Sequence, residues 1–110
     1  MELLPNGLKV FVIAPRSSTD KLIMAMAEAG AGVIGKYSHN AFIVEGMGNW
    51  KSEEGSHPVL GEVGKISREP ENRIEMVCPE EKLNQVISAI RKVHPYEEPA
   101  IDVIKLYDKN

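Results

Sequence analysis

The chain has 110 residues, 43% of them hydrophobic, which is enough for one core and too few for two independent domains. Its 16 acidic and 13 basic residues give a formal net charge of -3 and are spread along the sequence without the basic stripe that phosphate contacts require, which excludes nucleic acid as an expected partner. Neither a charged-then-apolar leader nor an apolar run of about 20 residues is present, so the sequence predicts a cytoplasmic protein with no membrane partner.

After a turn signal at Pro5-Asn6-Gly7, the run Leu8–Ala14 is β-branched and apolar enough for a strand covered on most of both faces. Pro15 stops it. Ser17, Ser18 or Thr19 can cap a helix whose apolar face is Leu22, Ile23, Met26 and Ala27, and which ends near Ala29 at Gly30. A second strand fits Ala41–Glu45. Residues 46–61, rich in glycine and charge, read as a long loop or loosely paired excursion carrying Trp50. The segments 62–67 and 73–78 read as two strands of a hairpin turned at Glu69-Pro70-Glu71-Asn72. Pro79, followed by Glu80 and Glu81, opens a helix with Leu83, Val86, Ile87, Ile90 and Val93 on one face and Arg91 and Lys92 at its negative end. The proline-bounded run His94-Pro95-Tyr96-Glu97-Glu98-Pro99 follows, then a last strand over Ala100–Leu106. Cys78, the only cysteine, has no intrachain disulfide partner and reads as a core residue of its strand.

Strand, helix, strand, excursion, strand, helix, strand is the order of the ferredoxin-like split βαβ sandwich, an α+β class with an antiparallel sheet and two helices on one face. A chain this small has no third helix for the opposite face, which argues for self-association. Gly30-x-Gly32-x-x-Gly35 has the spacing of a dinucleotide fingerprint, but it follows a helix and opens a strand. It is therefore a turning loop, without the helix N-terminus that would hold a pyrophosphate. The histidines at 39, 57 and 94 lack the spacing of a helical zinc pair; folding could still unite His39, His94 and Glu97 as nitrogen and oxygen ligands for a divalent metal, although nothing in the sequence requires one. Glu97 and Glu98, adjacent on an extended chain, point apart and do not form an acid and base pair. Ser38 and His39 are neighbours without an acidic third member. Arg73 and Glu75 share a strand face and can pair. Trp50 is the aromatic residue expected to anchor an interface.

Several ordered segments give the chain a family resemblance: Gly30-Ala31-Gly32-Val33-Ile34-Gly35-Lys36-Tyr37-Ser38-His39, Glu54-Gly55, Gly61-Glu62-Val63-Gly64-Lys65, Arg73-Ile74-Glu75 and His94-Pro95-Tyr96-Glu97-Glu98-Pro99-Ala100. In these it resembles the YqfO-type domain inserted in many Nif-three-like dinuclear-metal proteins. Departures fall at Lys36, Asn40, Trp50 and Ile101, where the family often carries asparagine, cysteine, phenylalanine and tyrosine. The resemblance implies a fold similar to CutA and the PII signalling proteins and a homotrimer with ligand or metal sites at subunit junctions. It does not carry over hydrolase activity, because the family's dinuclear metal site lies in flanking halves outside these residues. The expected function is a non-catalytic, oligomeric regulatory or ligand-binding module whose intersubunit cleft combines Tyr37, Ser38 and His39 with His94, Tyr96, Glu97 and Glu98. A metal-dependent enzyme, and a structural cap that docks on separate Nif-three-like metal-domain chains, are the alternatives.

Overall fold

The computed structural model describes residues 3–109; residues 1, 2 and 110 lie outside the described residues. Four strands, β1 (Leu3–Pro15), β2 (Phe42–Lys51), β3 (Ile66–Cys78) and β4 (Ala100–Lys109), form one antiparallel sheet in the order β2-β3-β1-β4. Helices α1 (Thr19–Glu28) and α2 (Leu83–Val93) pack against each other on one face. This is the split βαβ arrangement that the order of elements predicts.

Alternation sets which side chains meet the helices. On β1, Leu8, Val10, Val12 and Ala14 are buried, and on β3 their neighbours Cys78, Met76 and Ile74 are buried beside them. Leu22 and Met26 of α1 and Val86 and Ile90 of α2 close this core, with Cys78 at its edge. Each such side chain contributes roughly 1.5–3 kcal/mol through removal from water. Between them on β1, Lys9, Phe11 and Ile13 are only half-buried, so the strand is not covered on both faces as its apolar run suggested.

The hairpin expected at residues 69–72 does not form. Ile66–Cys78 is a single strand paired along its length with β2, from Phe42↔Glu75 to Lys51↔Ile66. Pro70 is tolerated because β1 stops flanking β3 at Pro15↔Glu71, so on that side the missing N–H forfeits no ladder bond. Residues 46–51, expected in the excursion, supply the partner strand, and the true connection is residues 52–65. The Pro5-Asn6-Gly7 turn is also a strand feature: β1 runs through it with a register shift between Pro5 and Leu8, and Gly7 adopts φ +74° against the Cys78 carbonyl.

Both helices are entered through a short 3₁₀ turn, Arg16–Ser18 before α1 and Glu80–Lys82 before α2. No side chain caps α1. Thr19 Oγ1 instead donates to the Arg16 carbonyl (2.8 Å) and accepts from Asn72 Nδ2 (3.0 Å), tying the helix start to β3. Gly30, at φ +120°, ends α1 as expected.

Candidate functional site

His94 ends α2, because the Pro95 ring disfavours helix for the residue before it. Its side chain is 8% exposed. Nε2 lies 2.8 Å from the Ile13 carbonyl, which can only accept, so Nε2 carries the proton; Nδ1 accepts the Tyr96 N–H at 3.1 Å. The ring is thereby held in one neutral tautomer with both nitrogens engaged, bolting the proline-bounded segment to the end of β1.

Tyr96 is the next member. Its ring lies 5.6 Å from Trp50 and 5.2 Å from His94 between centroids, and its hydroxyl donates to Glu71 Oε2 at 2.7 Å. Burial, and then the hydrogen bond to and charge of Glu71, push the phenol above its ordinary range, so it remains a donor. Glu71 is 6% exposed, and its carboxylate occupies the place a side chain at residue 48 would take: a Cβ on Gly48 would overlap Oε1. Gly48 is glycine because a buried acid lies across it.

Register puts Ile13, Val44, Gly46, Gly48, Trp50, Glu71, Arg73 and Ala100 on the face opposite the helices. There they floor a half-open cleft of about 880 Å³, with Tyr96, Glu97 and Glu98 on one side and Ser56, Val59 and Leu60 of the 52–65 connection on another. That connection is pinned by Glu97, which accepts from the His57 backbone N–H (3.1 Å) and faces its ring Nδ1 (3.2 Å). The His57 N–H, ahead of the ring, draws the Glu97 carboxyl below its ordinary value. Both Glu97 and Glu98 border the cleft. Arg73 Nε donates to Glu75 (3.1 Å), the pair their shared face predicts.

The other half of the predicted cleft lies elsewhere in the chain. Gly32 N–H donates to Val77 O, and Asn40 Nδ2 donates to Gly32 O and Tyr37 O, which anchors residues 33–40 as a projecting tongue at the Cys78 end of β3. His94 contacts Ile13, near the opposite end of the β1–β3 pairing. Ser38 Oγ and His39 Nδ1 are 2.9 Å apart on the tongue, both exposed, and His39 is at φ +60°. Within one chain His39 and His94 do not meet. Among the described residues no three His, Cys, Asp or Glu side chains group to hold a metal ion. His94 would have to release Ile13 or Tyr96 to ligate one, so the residues present do not fit the metal set of His39, His94 and Glu97. Trp50 stands in β2 rather than on a loop, half-buried against its own chain's Tyr96.

Two participants escaped the sequence. Glu71 sat in a supposed turn, because the stretch 67–73 is polar apart from Pro70 and carries no apolar alternation; what signal there was lay on another strand, in Gly46-x-Gly48. His57, forty residues from Glu97, carried none.

No family model matches the chain. It is 41% identical over 98 residues to a "GTP cyclohydrolase 1 type 2 homolog" of Mycobacterium tuberculosis, a match covering 89% of this chain and 26% of the relative. A Bacillus cereus protein related to NIF3 has a solved structure that superposes with a TM-score of 0.78 at 35% identity, over 96% of this chain and 29% of that one. CutA1 of Oryza sativa superposes at 0.70 with 16% identity, over 97% and 84%, and shares the fold. The chain spans about a quarter of the curated relative it matches. The chain is thus similar to about a quarter of the length of these NIF3-related proteins, and it shares the CutA fold.

Proposed function

We propose that this chain is a non-catalytic module that assembles as a homotrimer through its helix-free sheet face and binds a small ligand in the cleft that face carries. The observation behind this is the face itself. Phe42, 67% exposed, and Ile104 stand out from it beside half-buried Phe11, Ile13 and Val44, and the cleft opens from the same surface. Further copies of the chain would cover the apolar patch and close the cleft with one operation, and cyclic symmetry leaves no unpaired patch behind. For Tyr37, Ser38 and His39 to join the cleft, they must come from another copy. A cytosolic setting agrees with Cys78, whose thiol burial pushes upward and keeps unreactive.

The matched relatives favour a second reading, a cap on Nif-three-like metal domains. The first and last strands support it, because Leu3 of β1 pairs with Lys109 of β4 and the two ends lie side by side, as in a domain inserted into another chain. Any activity named for the relatives stays with their full length.

Native mass spectrometry over a dilution series decides the assembly. Three copies of the 12.2 kDa chain are expected, and a persistent monomer overturns the proposal. Phe42→Lys should dissociate the trimer without unfolding the chain. If it co-purifies with a separate Nif-three-like metal domain while remaining monomeric, the cap reading prevails.

A further inference from the structure

We infer that the cleft is made for an organic cation, an ammonium or guanidinium head on an apolar or aromatic body, with the head at Glu71 and the body against Trp50 and Tyr96. This rests on reading the cleft as a ligand site and names the chemistry it would hold. Glu71 carries the argument. The residue is more than nine-tenths buried as a whole, and its oxygens differ: Oε2 accepts from Tyr96, while Oε1 lies over Gly48 in the cleft wall, open to the cleft and without a donor among the described residues. Oε1 is not sealed off, since Asn72 Oδ1 is the only fully buried side-chain oxygen or nitrogen without a partner among the described residues; it stays open to the cleft, where a cation would be a stronger partner than water.

Among the described residues no cationic side chain pairs with Glu71. Arg73, on the same face, turns its Nε to Glu75. Lys51, one residue out of phase with Trp50, belongs by alternation to the other side of β2. Four acidic residues, Glu53, Glu71, Glu97 and Glu98, border the cleft against Arg73, while Glu45 and Lys51 belong by alternation to the other side of β2, so the field of the cleft attracts cations and repels anions. Aromatic walls select among cations. The tilted Trp50 and Tyr96 rings offer π faces to an ammonium or guanidinium and give a metal ion nothing, and the acids do not converge as a metal shell. Holding Tyr96 to Glu71 by its hydroxyl also keeps that ring turned toward Trp50.

The test uses the full chain as it assembles, with four probes of similar shape: benzyltrimethylammonium and benzylamine, uncharged benzyl alcohol, and anionic benzoate. Binding is followed by calorimetry and by the emission of Trp50, the only tryptophan. Both cations should bind and perturb Trp50, the alcohol should bind about tenfold more weakly or worse, and benzoate should not bind. Glu71→Gln should weaken the cations by about tenfold while leaving circular dichroism unchanged. If that variant does not fold, the cation-against-alcohol comparison on the unaltered chain decides. Equal binding of alcohol and cation, or a preference for benzoate, overturns the inference. So does an intact trimer that binds no probe, including the case in which Glu71→Gln dissociates it because a neighbouring copy's basic side chain already fills the cleft. A monomer that binds the cations would overturn the assembly reading and support this one.

Discussion

The two ends of the sheet each present a histidine next to a hydroxyl-bearing residue, and they are built in opposite ways. At the β1 end, His94 and Tyr96 are fixed by bonds that cross the chain: His94 to Ile13 over 81 residues, and Tyr96 to Glu71 over 25. At the Cys78 end, the tongue is held mostly by bonds among its near neighbours, with Gly32 to Val77 as its anchor. Its Tyr37 is 75% exposed. Long-range bonds between buried groups fix side chains in one geometry, whereas local bonds on an exposed turn shape a surface and leave its side chains free. The first end is therefore preorganised, and the second presents an exposed surface.

His94→Ala offers the sharpest break in this comparison. It removes a buried ring and leaves the Ile13 carbonyl and the Tyr96 N–H without partners, so a loss of about 2–4 kcal/mol is expected in denaturant unfolding. His39→Ala should change stability by less than about 0.5 kcal/mol. Equal losses at both sites would erase the distinction between the ends.

Glycines sharpen it further. Gly48→Ala drives a Cβ into the Glu71 carboxylate and should cost about 1–3 kcal/mol, with a shift in Trp50 emission as Tyr96 is displaced. Gly35→Ala, on the tongue at φ +58°, meets open space and should cost about 1 kcal/mol from backbone strain alone, without moving Trp50. A Trp50 response to Gly35→Ala would mean the two ends are coupled. Tyr96→Phe is milder still at the first end: it strips the donor from Glu71 Oε2 at an expected cost of about 1–2 kcal/mol, read by thermal unfolding with the fold unchanged.

Much of this architecture was legible in the residues, because periodicity reports burial. Leu83, Val86, Ile87, Ile90 and Val93 mark α2, and the alternating Leu8, Val10 and Val12 mark β1, whether or not their partners are known. The proline-bounded run was legible as a fixed segment because two prolines restrict a backbone locally. Pro70 misled because its meaning depends on where β1 ends, a fact of strand register that no local signal carries. His39 misled because a histidine in a family-like motif says nothing about which end of the sheet its loop occupies. Glu71 was hidden for both reasons: it lay beside Pro70, and the glycine that makes room for it sits on another strand.

The connection over the cleft gives the smallest and most specific effect. Glu97 is more acidic in the folded chain than its ordinary value of 4.5, so its ionised form favours the pinned connection. That contribution is fully present above the ordinary value and is lost as pH falls through the lowered one. Acrylamide quenching of Trp50 should therefore rise below about pH 4.5 as residues 56–60 release from the cleft. Glu97→Gln should flatten this acid step. His57→Ala should preserve most of it, because the leading cause of the shift is the backbone N–H, which alanine retains, and the imidazole ranks behind it. A step that survives in Glu97→Gln would place the pH-sensitive group elsewhere. One abolished by His57→Ala would make the ring, rather than the backbone, what holds the connection closed.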